Sequence, residues 1–419
     1  MSVQDKLTIG LFGFGVVGEG IYKVLNQTPS LHAEIKKIVI RHPEKERNAS
    51  PQLFTTDKNE VLNDTEINLV VELIDDADEA YRIVTTALKS RKAVVSANKK
   101  MIAEHLEELI ALQKEFDVPF LYEAAVCGSI PIIRNLEEYY DNDLLQSVCG
   151  IVNGSTNFIL TKISQGLSYQ GALHEAQSLG FAESNPALDV EGKDAVNKLS
   201  ILLAHAYGII SHPADLVHSG ITRLHLEDGV YAQEKGYRIK LTAQARKLDD
   251  GRVAAFVLPQ FVKDESQLFH VKDEYNGVVI ESRMADKQFL YGKGAGRFPT
   301  SSAVVSDISA ARYGYRYEYK KLNREEDFSL TYDYYLQVYV SFNDWVEVSK
   351  WDFEEVTTFH STRHRQYLTG VIHINKLKNA SWFHDPAVSV ILIPGSIITR
   401  EERLQQSIKQ VSLQLAGVN

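Results

Sequence analysis

The stretch Leu7-Thr8-Ile9-Gly10-Leu11-Phe12-Gly13-Phe14-Gly15-Val16-Val17-Gly18 decides the fold. Leu7–Phe12 is short and apolar like a buried strand, and Val16–Asn26 has the pattern of a helix. The first glycine of the turn allows a sharp bend, the second lets a pyrophosphate reach the backbone, and the third lets helix and strand pack closely. Because the helix N-terminus adds N–H groups, the pattern predicts a dinucleotide site. A glycine-rich turn of another α/β protein is the alternative. The predicted contact residues are Gly13, Phe14, Gly15, Val16, Val17 and Gly18.

Downstream of this turn, strand-like and helix-like segments alternate up to residue 142. The predicted strands are Ile35–Ile40, Asn68–Ile74, Ala93–Ser96 and Phe120–Val126. The predicted helices are Asp78–Ser90, Lys99–Phe116 and one opened by Pro131. Such alternation is typical of a doubly wound parallel sheet, so residues 1–142 are predicted to form a Rossmann-type α/β domain.

Two further domains are expected. Residues 143–322 read as an α+β domain whose predicted strands are Leu144–Val152, Val253–Val262, Val278–Met284 and Gln288–Tyr291. A helix within residues 300–315 can pack back on the first domain. After a polar linker at Asn323–Asp327, residues 328–419 predict a small ferredoxin-like module with the order β-α-β-β-α, ending in a helix at Thr399–Leu415.

The composition points to a globular protein that handles a small molecule. The chain has 419 residues and a formal net charge of −10, which argues against a nucleic-acid partner. It has two cysteines, Cys127 and Cys149, outside any paired motif, so a reducing compartment is expected. Because no signal-like or membrane-spanning apolar run occurs, we expect a cytoplasmic protein without a membrane partner.

The end of the second strand bears on the choice of cofactor. A carboxylate there would bind the ribose hydroxyls of NAD, whereas a cation would pair with the 2′-phosphate of NADP. The sequence has Arg41, followed by Lys45, and no carboxylate at the strand tip. The guanidinium fork of Arg41 suits a phosphate, so NADP is favoured and NAD is possible. The alternative is that Arg41 is a solvated loop cation.

The segment from Gly180 to Lys198 carries a second set of polar residues. Asp194 and Lys198 are four apart at the start of an apolar-striped helix and therefore share a face, and Glu183 lies on the preceding loop. Taken alone, such a pair indicates an ordinary surface ion pair. Three histidines downstream, at 205, 212 and 218, lack the spacing of metal ligands and are interpreted as helix and loop residues.

The whole of Gly180–Lys198 resembles the signature of homoserine dehydrogenases. Other blocks resemble the same family in the same order, over roughly residues 7–310. They are Val94-Val95-Ser96-Ala97-Asn98-Lys99, Glu123-Ala124-Ala125-Val126-Cys127-Gly128-Ser129-Ile130-Pro131, Asn153-Gly154-Ser155-Thr156-Asn157-Phe158-Ile159-Leu160 and Gly292-Lys293-Gly294-Ala295-Gly296-Arg297-Phe298-Pro299-Thr300. Another nicotinamide dehydrogenase would lack the Glu183, Asp194 and Lys198 set, and a non-catalytic relative would typically have lost Lys99 or Lys198.

The resemblance implies an activity, the reversible reduction of L-aspartate 4-semialdehyde to L-homoserine in threonine, methionine and isoleucine biosynthesis. It assigns Lys198 as the general acid, assisted by Lys99. Glu183 and Asp194 would bind the substrate, and Gly180, Gly294, Gly296 and Lys99 would contact the cofactor. It also implies a homodimer or higher oligomer, and a monovalent cation, usually sodium, held largely by main-chain carbonyls. That cation site falls on Glu123, Val126, Gly128 and Ile130.

Two departures from the family pattern stand out. Asp75 and Asp76 occupy positions where the family usually has two glycines, so these carboxylates either weaken dinucleotide binding or point to solvent. The C-terminal module resembles an ACT domain in strand order only, because the usual effector turn is replaced by Val340–Val346. We therefore do not expect this module to bind an effector. We expect it to have a structural role or to form a dimer.

Overall fold

The computed structural model describes residues 6–142, 144–324, 328–344, 347–361 and 365–405. Its strands are β1 Leu7–Phe12, β2 Ala33–Val39, β3 Phe54–Thr55, β4 Leu69–Glu72, β5 Ala93–Ser96, β6 Phe120–Leu121, β7 Leu145–Ile151, β8 Val217–His218, β9 Arg238–Lys247, β10 Val253–Val262, β11 Tyr275–Ser282, β12 Asp286–Lys293, β13 Tyr335–Phe342, β14 Phe353–Ser361, β15 Gln366–His373 and β16 Ser389–Ile398. Its α-helices are α1 Val16–Gln27, α2 Asn59–Leu62, α3 Ala77–Lys89, α4 Lys99–Phe116, α5 Ile132–Arg134, α6 Gly154–Ser164, α7 Tyr169–Ser178, α8 Ala187–Val190, α9 Lys193–Tyr207, α10 Leu226–Glu234, α11 Arg297–Arg312 and α12 Ile374–Asn379.

The N-terminal part forms a six-stranded sheet in the order β3-β2-β1-β4-β5-β6. All of its paired strands run parallel. β1 and β4 lie at its centre and are almost wholly apolar and buried, as expected for strands covered by helices on both faces. This order is the one of dinucleotide-binding folds, and it confirms the predicted Rossmann-type sheet. Ligands of such sheets bind outside the carboxyl ends of the strands, where the strand order reverses.

The second sheet has ten strands, of which nine follow the order β12-β11-β7-β9-β10-β16-β13-β15-β14, while β8 pairs with β10. From β12 to β10 the neighbouring strands are antiparallel. The helices α6 and α9 pack on this half of the sheet. α11 leaves the second sheet and returns to the first domain, as predicted. There Ser301 Oγ donates to the Val17 carbonyl at 3.1 Å and Arg297 pairs with Glu19 at 3.0 Å.

The C-terminal module continues the second sheet, because β16 pairs in parallel with β10 and antiparallel with β13. The predicted β-α-β-β-α order is wrong in two places: a short 3₁₀ turn at Lys350–Asp352 and then β14 occupy the position of the first predicted helix, and α12 lies between β15 and β16. The described residues of this connection include no α-helix, and α12 is the module's first. The predicted Thr399–Leu415 helix begins at residue 400, and its residues beyond 405 lie outside the described ranges. The ACT-like assignment and the three domain boundaries stay predictions.

Elements elsewhere in the chain also differ from the prediction. The predicted strand Phe120–Val126 ends at Leu121, because Glu123–Ala125 forms a 3₁₀ turn that bends the chain toward α5. The strand β9 was not predicted, since its sequence carries basic residues at Arg238, Lys240, Arg246 and Lys247. None of the described helices combines the length and apolar character needed to cross a bilayer.

Candidate active site

The glycine turn between β1 and α1 has the geometry that a pyrophosphate requires. Gly13 has a φ of +94°, and a Cβ there would lie 2.9 Å from the Leu73 carbonyl oxygen. A Cβ on Gly18 would lie 2.4 Å from the Gly13 carbonyl oxygen, so only glycine lets the helix pack this closely. Gly15, by contrast, has open space where a Cβ would be, and no side chain caps α1. The Gly13 N–H donates to the Val39 carbonyl at 3.0 Å, but the N–H groups at the start of α1 have no side-chain cap and remain available to an anion.

The flanking residues of the turn complete the cradle. Phe14 packs edge-to-face against Tyr22 and Phe54, with ring centroids 5.9 and 5.2 Å apart. Val16 is an exposed apolar residue in the first turn of α1, and the Val17 carbonyl accepts the bond from α11. The turn is thus held by aromatic packing on one side and by α11 on the other.

Helices α4 and α9 pack against each other and bring the predicted catalytic residues together. Lys99 opens α4 directly beyond the carboxyl end of β5, and its Nζ lies 2.9 Å from Asp194 Oδ1. Lys198 Nζ lies 2.8 Å from Asp194 Oδ2 and donates to the Val152 carbonyl at 2.6 Å. One buried carboxylate therefore holds two ammonium groups from different helices, α4 and α9.

Burial differs sharply within this cluster. Asp194 is 3% exposed and the Lys198 side chain 9%, whereas the Lys99 side chain is 43% exposed. Burial alone would raise the pKa of Asp194, but Lys198 and Lys99 outweigh it and hold that pKa well below its ordinary value. The Asp194 carboxylate in turn raises the pKa of Lys99 against the opposing effect of burial. At neutral pH Asp194 is ionised and Lys99 is protonated.

Two further residues belong to the cluster and were not assigned a role from the sequence. Asn153, which caps α6, donates from Nδ2 to Asp194 Oδ2 and to Asp189 Oδ1, both at 2.7 Å. Burial raises the pKa of Asp189, and the neighbouring Asp194 charge adds to that effect. The amide of Asn153 thus joins two carboxylates that would otherwise only repel each other. Asn153 begins the block Asn153–Leu160 that resembles the family, and this resemblance was the available sequence signal. Only the fold brings Asn153 to Asp194.

Glu183 lies on the exposed loop after α7. Glu183 is exposed, and its charge contributes to the raised pKa of Lys99 after the larger effect of Asp194. The main chain of this loop is held by Gln177, whose Nε2 donates to the Glu183 carbonyl at 2.9 Å. Gly180 in the same loop has a φ of +75° and open space at its Cβ position. This loop is therefore an accessible edge of the site, and Glu183 does not contact Asp194 in the described hydrogen bonds.

The predicted cofactor-selecting residues line the far side of the turn. Arg41 is exposed, and no ion pair is found for it within the described residues. The preceding residue, Ile40, lines a cleft of about 980 Å³ together with Lys45, Arg47 and Phe54, whereas Arg41 is not part of that lining. The Arg47 guanidinium donates to the carbonyls of His42 and Lys45, each at 2.6 Å. The cleft lining thus carries two basic side chains, Lys45 and Arg47, and two acidic ones, Glu44 and Glu46.

The predicted cation loop and the predicted cofactor turn touch each other. Cys127 and Gly128 both have positive φ, and a Cβ on Gly128 would lie 2.6 Å from the Gly294 carbonyl oxygen. Gly294 has no room for a side chain because the Asn276 amide lies against it, and Gly296 caps α11 with a φ of +116°. Because these positions are glycines, the main chains of the two loops can come into direct contact.

The carbonyls of the cation loop are unequally engaged. The carbonyls of Glu123, Cys127 and Ile130 accept bonds from nearby main-chain N–H groups, whereas no main-chain N–H of the described residues donates to the carbonyls of Val126 and Gly128. The Glu123 carboxylate faces the other way and accepts from Ile133 and Arg134 N–H groups, so it caps α5. No group of three or more His, Cys, Asp or Glu side chains within the described ranges is arranged to hold a metal.

The unusual aspartates after β4 have a local explanation. Asp76 is the N-cap of α3, and its Oδ1 accepts from the Glu79 N–H at 3.0 Å. Both Asp75 and Asp76 are exposed. His205, in contrast, is fully buried and bonds to Glu137 and to Tyr122, both at 2.8 Å, so it is a core histidine as interpreted.

Comparison with known proteins identifies the family. The model of the homoserine dehydrogenase NAD-binding domain matches residues 13–123, and that of homoserine dehydrogenase matches residues 131–309. Homoserine dehydrogenase of Bacillus subtilis is 36% identical over 317 residues, which cover 73% of each chain. The chain belongs to the homoserine dehydrogenase family. It is accordingly an oxidoreductase that uses a nicotinamide cofactor, and the enzyme's place is in amino-acid biosynthesis.

Solved structures of homoserine dehydrogenases share the architecture. The structure from Thiobacillus denitrificans superposes with a TM-score of 0.82 at 28% identity, covering 93% of this chain and 98% of the other. Coverage this wide extends beyond residue 309 into the C-terminal module. A hyperthermophilic archaeal homoserine dehydrogenase mutant in complex with NADPH matches with a TM-score of 0.64 at 26% identity, over 75% of this chain and 99% of the other.

Proposed function

We propose that this homoserine dehydrogenase reduces L-aspartate 4-semialdehyde to L-homoserine with Lys198 as the general acid. The observation that carries the proposal is the convergence of Lys99 and Lys198 on Asp194 at the carboxyl edge of the parallel sheet. A dinucleotide in the glycine turn lies along this edge. When bound, the cofactor supplies the hydride that reaches the aldehyde carbon.

The donor count of Lys198 supports this role. An ammonium group has three N–H donors, and Asp194 Oδ2 and the Val152 carbonyl take two of them. The third is available to the aldehyde oxygen, which gains negative charge as the hydride arrives. A positioned ammonium both stabilises that charge and supplies the proton. Because the side chain is buried, little water competes for this donor.

Asp194 and Glu183 have different roles in holding the lysines and the substrate. Asp194 holds both lysines, and a carboxylate has about four lone-pair positions, so after three bonds it can still accept from the substrate. Glu183 lies on the exposed edge and suits the substrate's ammonium group. Lys99, half exposed and cationic, faces the same opening and suits an oxygen of the substrate or the cofactor.

Substitution of Glu183 tests the substrate-binding assignment. Glu183→Gln is expected to raise KM for aspartate semialdehyde about tenfold with little change in kcat, since it weakens a charge-assisted contact that ground state and transition state share. Glu191→Gln is the matched control, because Glu191 is an exposed glutamate nearby that pairs with Lys193 instead. Equal KM values in the two variants would contradict the role of Glu183.

For the cofactor, we propose a preference for NADP. The exposed Arg41 at the end of β2 suits a 2′-phosphate, and the archaeal homoserine dehydrogenase that this chain resembles was solved with NADPH. Arg41→Ala is expected to raise KM for NADPH about tenfold and to leave KM for NADH unchanged. An equal rise in KM for both cofactors would show that Arg41 does not bind the 2′-phosphate.

We also propose a monovalent cation, preferably sodium, at the loop of Glu123, Val126, Gly128 and Ile130. Main-chain carbonyls of this loop are hard oxygen donors, and two of them are not engaged in the loop's own bonds. The site is structural in this proposal, because the loop contacts the Gly294 turn. Thermal unfolding in sodium chloride is expected at a higher temperature than in choline chloride of equal ionic strength. Identical curves would argue against the site.

A homodimer that pairs through the second sheet is the expected assembly. Cys149, Val279 and Phe289 stand opposite one another on neighbouring strands, on the face away from the Val278 core, and they are only partly buried. Tyr291 on the same face is 52% exposed. Light scattering is expected to give twice the chain mass, and Phe289→Glu is expected to reduce it to one. The cytoplasmic location stays a prediction from cysteine usage.

A further inference from the structure

Four hydrogen bonds form a closed ring between the loops that follow β4 and β5. Glu72 accepts the Ile74 N–H on Oε1 at 2.7 Å and the Ser96 hydroxyl on Oε2 at 2.6 Å. Asn98 closes the ring, because its N–H donates to Ser96 Oγ at 3.1 Å and its Nδ2 donates to the Ile74 carbonyl at 3.0 Å. The ring fixes the spacing of two strand ends that both face the cofactor edge of the sheet.

The ring touches one functional element on each side. Asn98 is also the N-cap of α4, since its Oδ1 accepts from the Met101 N–H at 3.0 Å, and Lys99 is the next residue. On the other side, the residue after Glu72 packs against the glycine turn: the Leu73 carbonyl oxygen leaves no room for a side chain on Gly13. Glu72 is therefore linked to the glycine turn through Leu73 and to the start of α4 through Ser96 and Asn98.

Burial of the Glu72 carboxylate at this position has a high desolvation cost. Glu72 is fully buried, and within the described part of the chain its carboxylate accepts only from neutral donors. Burial raises its pKa to about 7, and the Asp75 charge adds to that, although the bonds from Ser96 and Ile74 oppose it. A neutral side chain at this position would avoid the desolvation cost, but it could not accept two hydrogen bonds on two oxygens.

We propose that Glu72 is a positioning residue for the dehydrogenase reaction, which sets the place of Lys99 relative to the cofactor loop through Ser96 and Asn98. The proposal extends the role given above to Lys99 and rests on it. Glu72 does not touch the substrate in this account. It acts by fixing where the first turn of α4 begins, and a shift of about 1 Å at such a point can cost a large factor in rate.

A double-mutant cycle with Lys99 tests the proposal. Glu72→Ala removes both bonds from the ring and is expected to lower kcat about tenfold or more in an otherwise normal enzyme. Glu72→Gln keeps one acceptor and nearly the same shape, so it is expected to retain kcat within about threefold. In a Lys99→Ala background, Glu72→Ala is expected to lower kcat less than about twofold further, because its effect passes through Lys99. Glu107→Ala, an exposed glutamate on α4, is the control.

Each result bears on a different claim. The fraction of folded protein at the assay temperature is measured by circular dichroism, so a merely structural role would lower that fraction and leave kcat per folded molecule unchanged. That result, or a full tenfold loss in the Lys99→Ala background, would overturn the inference. If Lys99→Ala turns over too slowly, the same cycle is measured on the dissociation constant of homoserine with NADP⁺ present. Wild-type activity of Lys99→Ala itself would instead overturn the role of Lys99.

Discussion

Replacement of Asp194 by asparagine tests how the two lysines are held. The carboxylate is buried and accepts from Lys99, Lys198 and Asn153. Asparagine keeps the shape and one acceptor but loses the charge. Lys99 is partly exposed and can turn to water, whereas the Lys198 ammonium stays buried with the Val152 carbonyl as its remaining strong acceptor. The variant therefore leaves one buried cation without a counter-charge.

The size of the effect follows from that uncompensated cation. Breaking a buried pair by removing one partner costs about 3–5 kcal/mol, and the lower end applies because the asparagine oxygen still accepts a bond. A loss of about 3 kcal/mol lowers the Tm of a domain of this size by about 6–12 °C. Loss of the anchor also misplaces the general acid, so kcat is expected to fall at least about 10²-fold.

The pH dependence of the loss follows from the pKa shifts. In the wild type, the lowered pKa of Asp194 contributes stability that is present above its ordinary value and is lost as the pH falls toward the folded pKa. In Asp194→Asn this contribution is absent at every pH, so the stability deficit of the variant relative to the wild type is expected to narrow as the pH falls below the ordinary pKa of an aspartate.

Asp189→Asn is the matched control for this experiment. Asp189 bonds to the same Asn153 amide, but its pKa is raised by burial and by the Asp194 charge, so its ionised form destabilises the fold. Removing that charge is expected to leave Tm unchanged or to increase it at neutral pH. The assay is thermal unfolding of both variants over the pH range, with kcat measured in parallel. Equal losses in the two variants would refute the reasoning.

Three further outcomes are expected. Gly18→Ala places a Cβ 2.4 Å from the Gly13 carbonyl oxygen, so fluorescence titration is expected to show about tenfold weaker NADPH binding; unchanged affinity would argue against the cradle. Asp76→Ala removes a helix N-cap and is expected to cost about 1 kcal/mol in urea unfolding, with NADPH affinity unaltered. Glu137→Gln breaks the buried pair with His205 and is expected to cost about 2 kcal/mol by the same measurement, a loss that a solvated pair would not show.

Much of the first domain could be predicted because local chemistry determines it. β1, β5 and α4 have the predicted bounds, since short apolar runs and capped amphipathic segments specify them without help from distant residues. β9 was missed for the opposite reason. Its Lys240 side chain is buried and donates to Asn157, so a residue that indicates solvent in a sequence lies inside the sheet.

Some residues of the active site could likewise be predicted from the sequence, and others could not. The spacing of Asp194 and Lys198 predicts their shared helix face, and the family resemblance adds Lys99. The bridge by Asn153 could not be predicted, because Asn153 is separated by 41 residues from Asp194 and meets it only through the packing of α6 and α9 around the second sheet. The Glu72 ring is likewise a product of two adjacent strand ends, 24 residues apart in the chain.

The most direct test of the central claim is the rate of NADPH oxidation with L-aspartate 4-semialdehyde, for wild type and Lys198→Ala. The account predicts turnover by the wild type and a kcat at least about 10²-fold lower in the variant, with the variant folded and still binding NADPH. A variant that turns over at the wild-type rate would contradict the assignment of Lys198. A wild type that does not oxidise NADPH with this substrate would contradict the function itself.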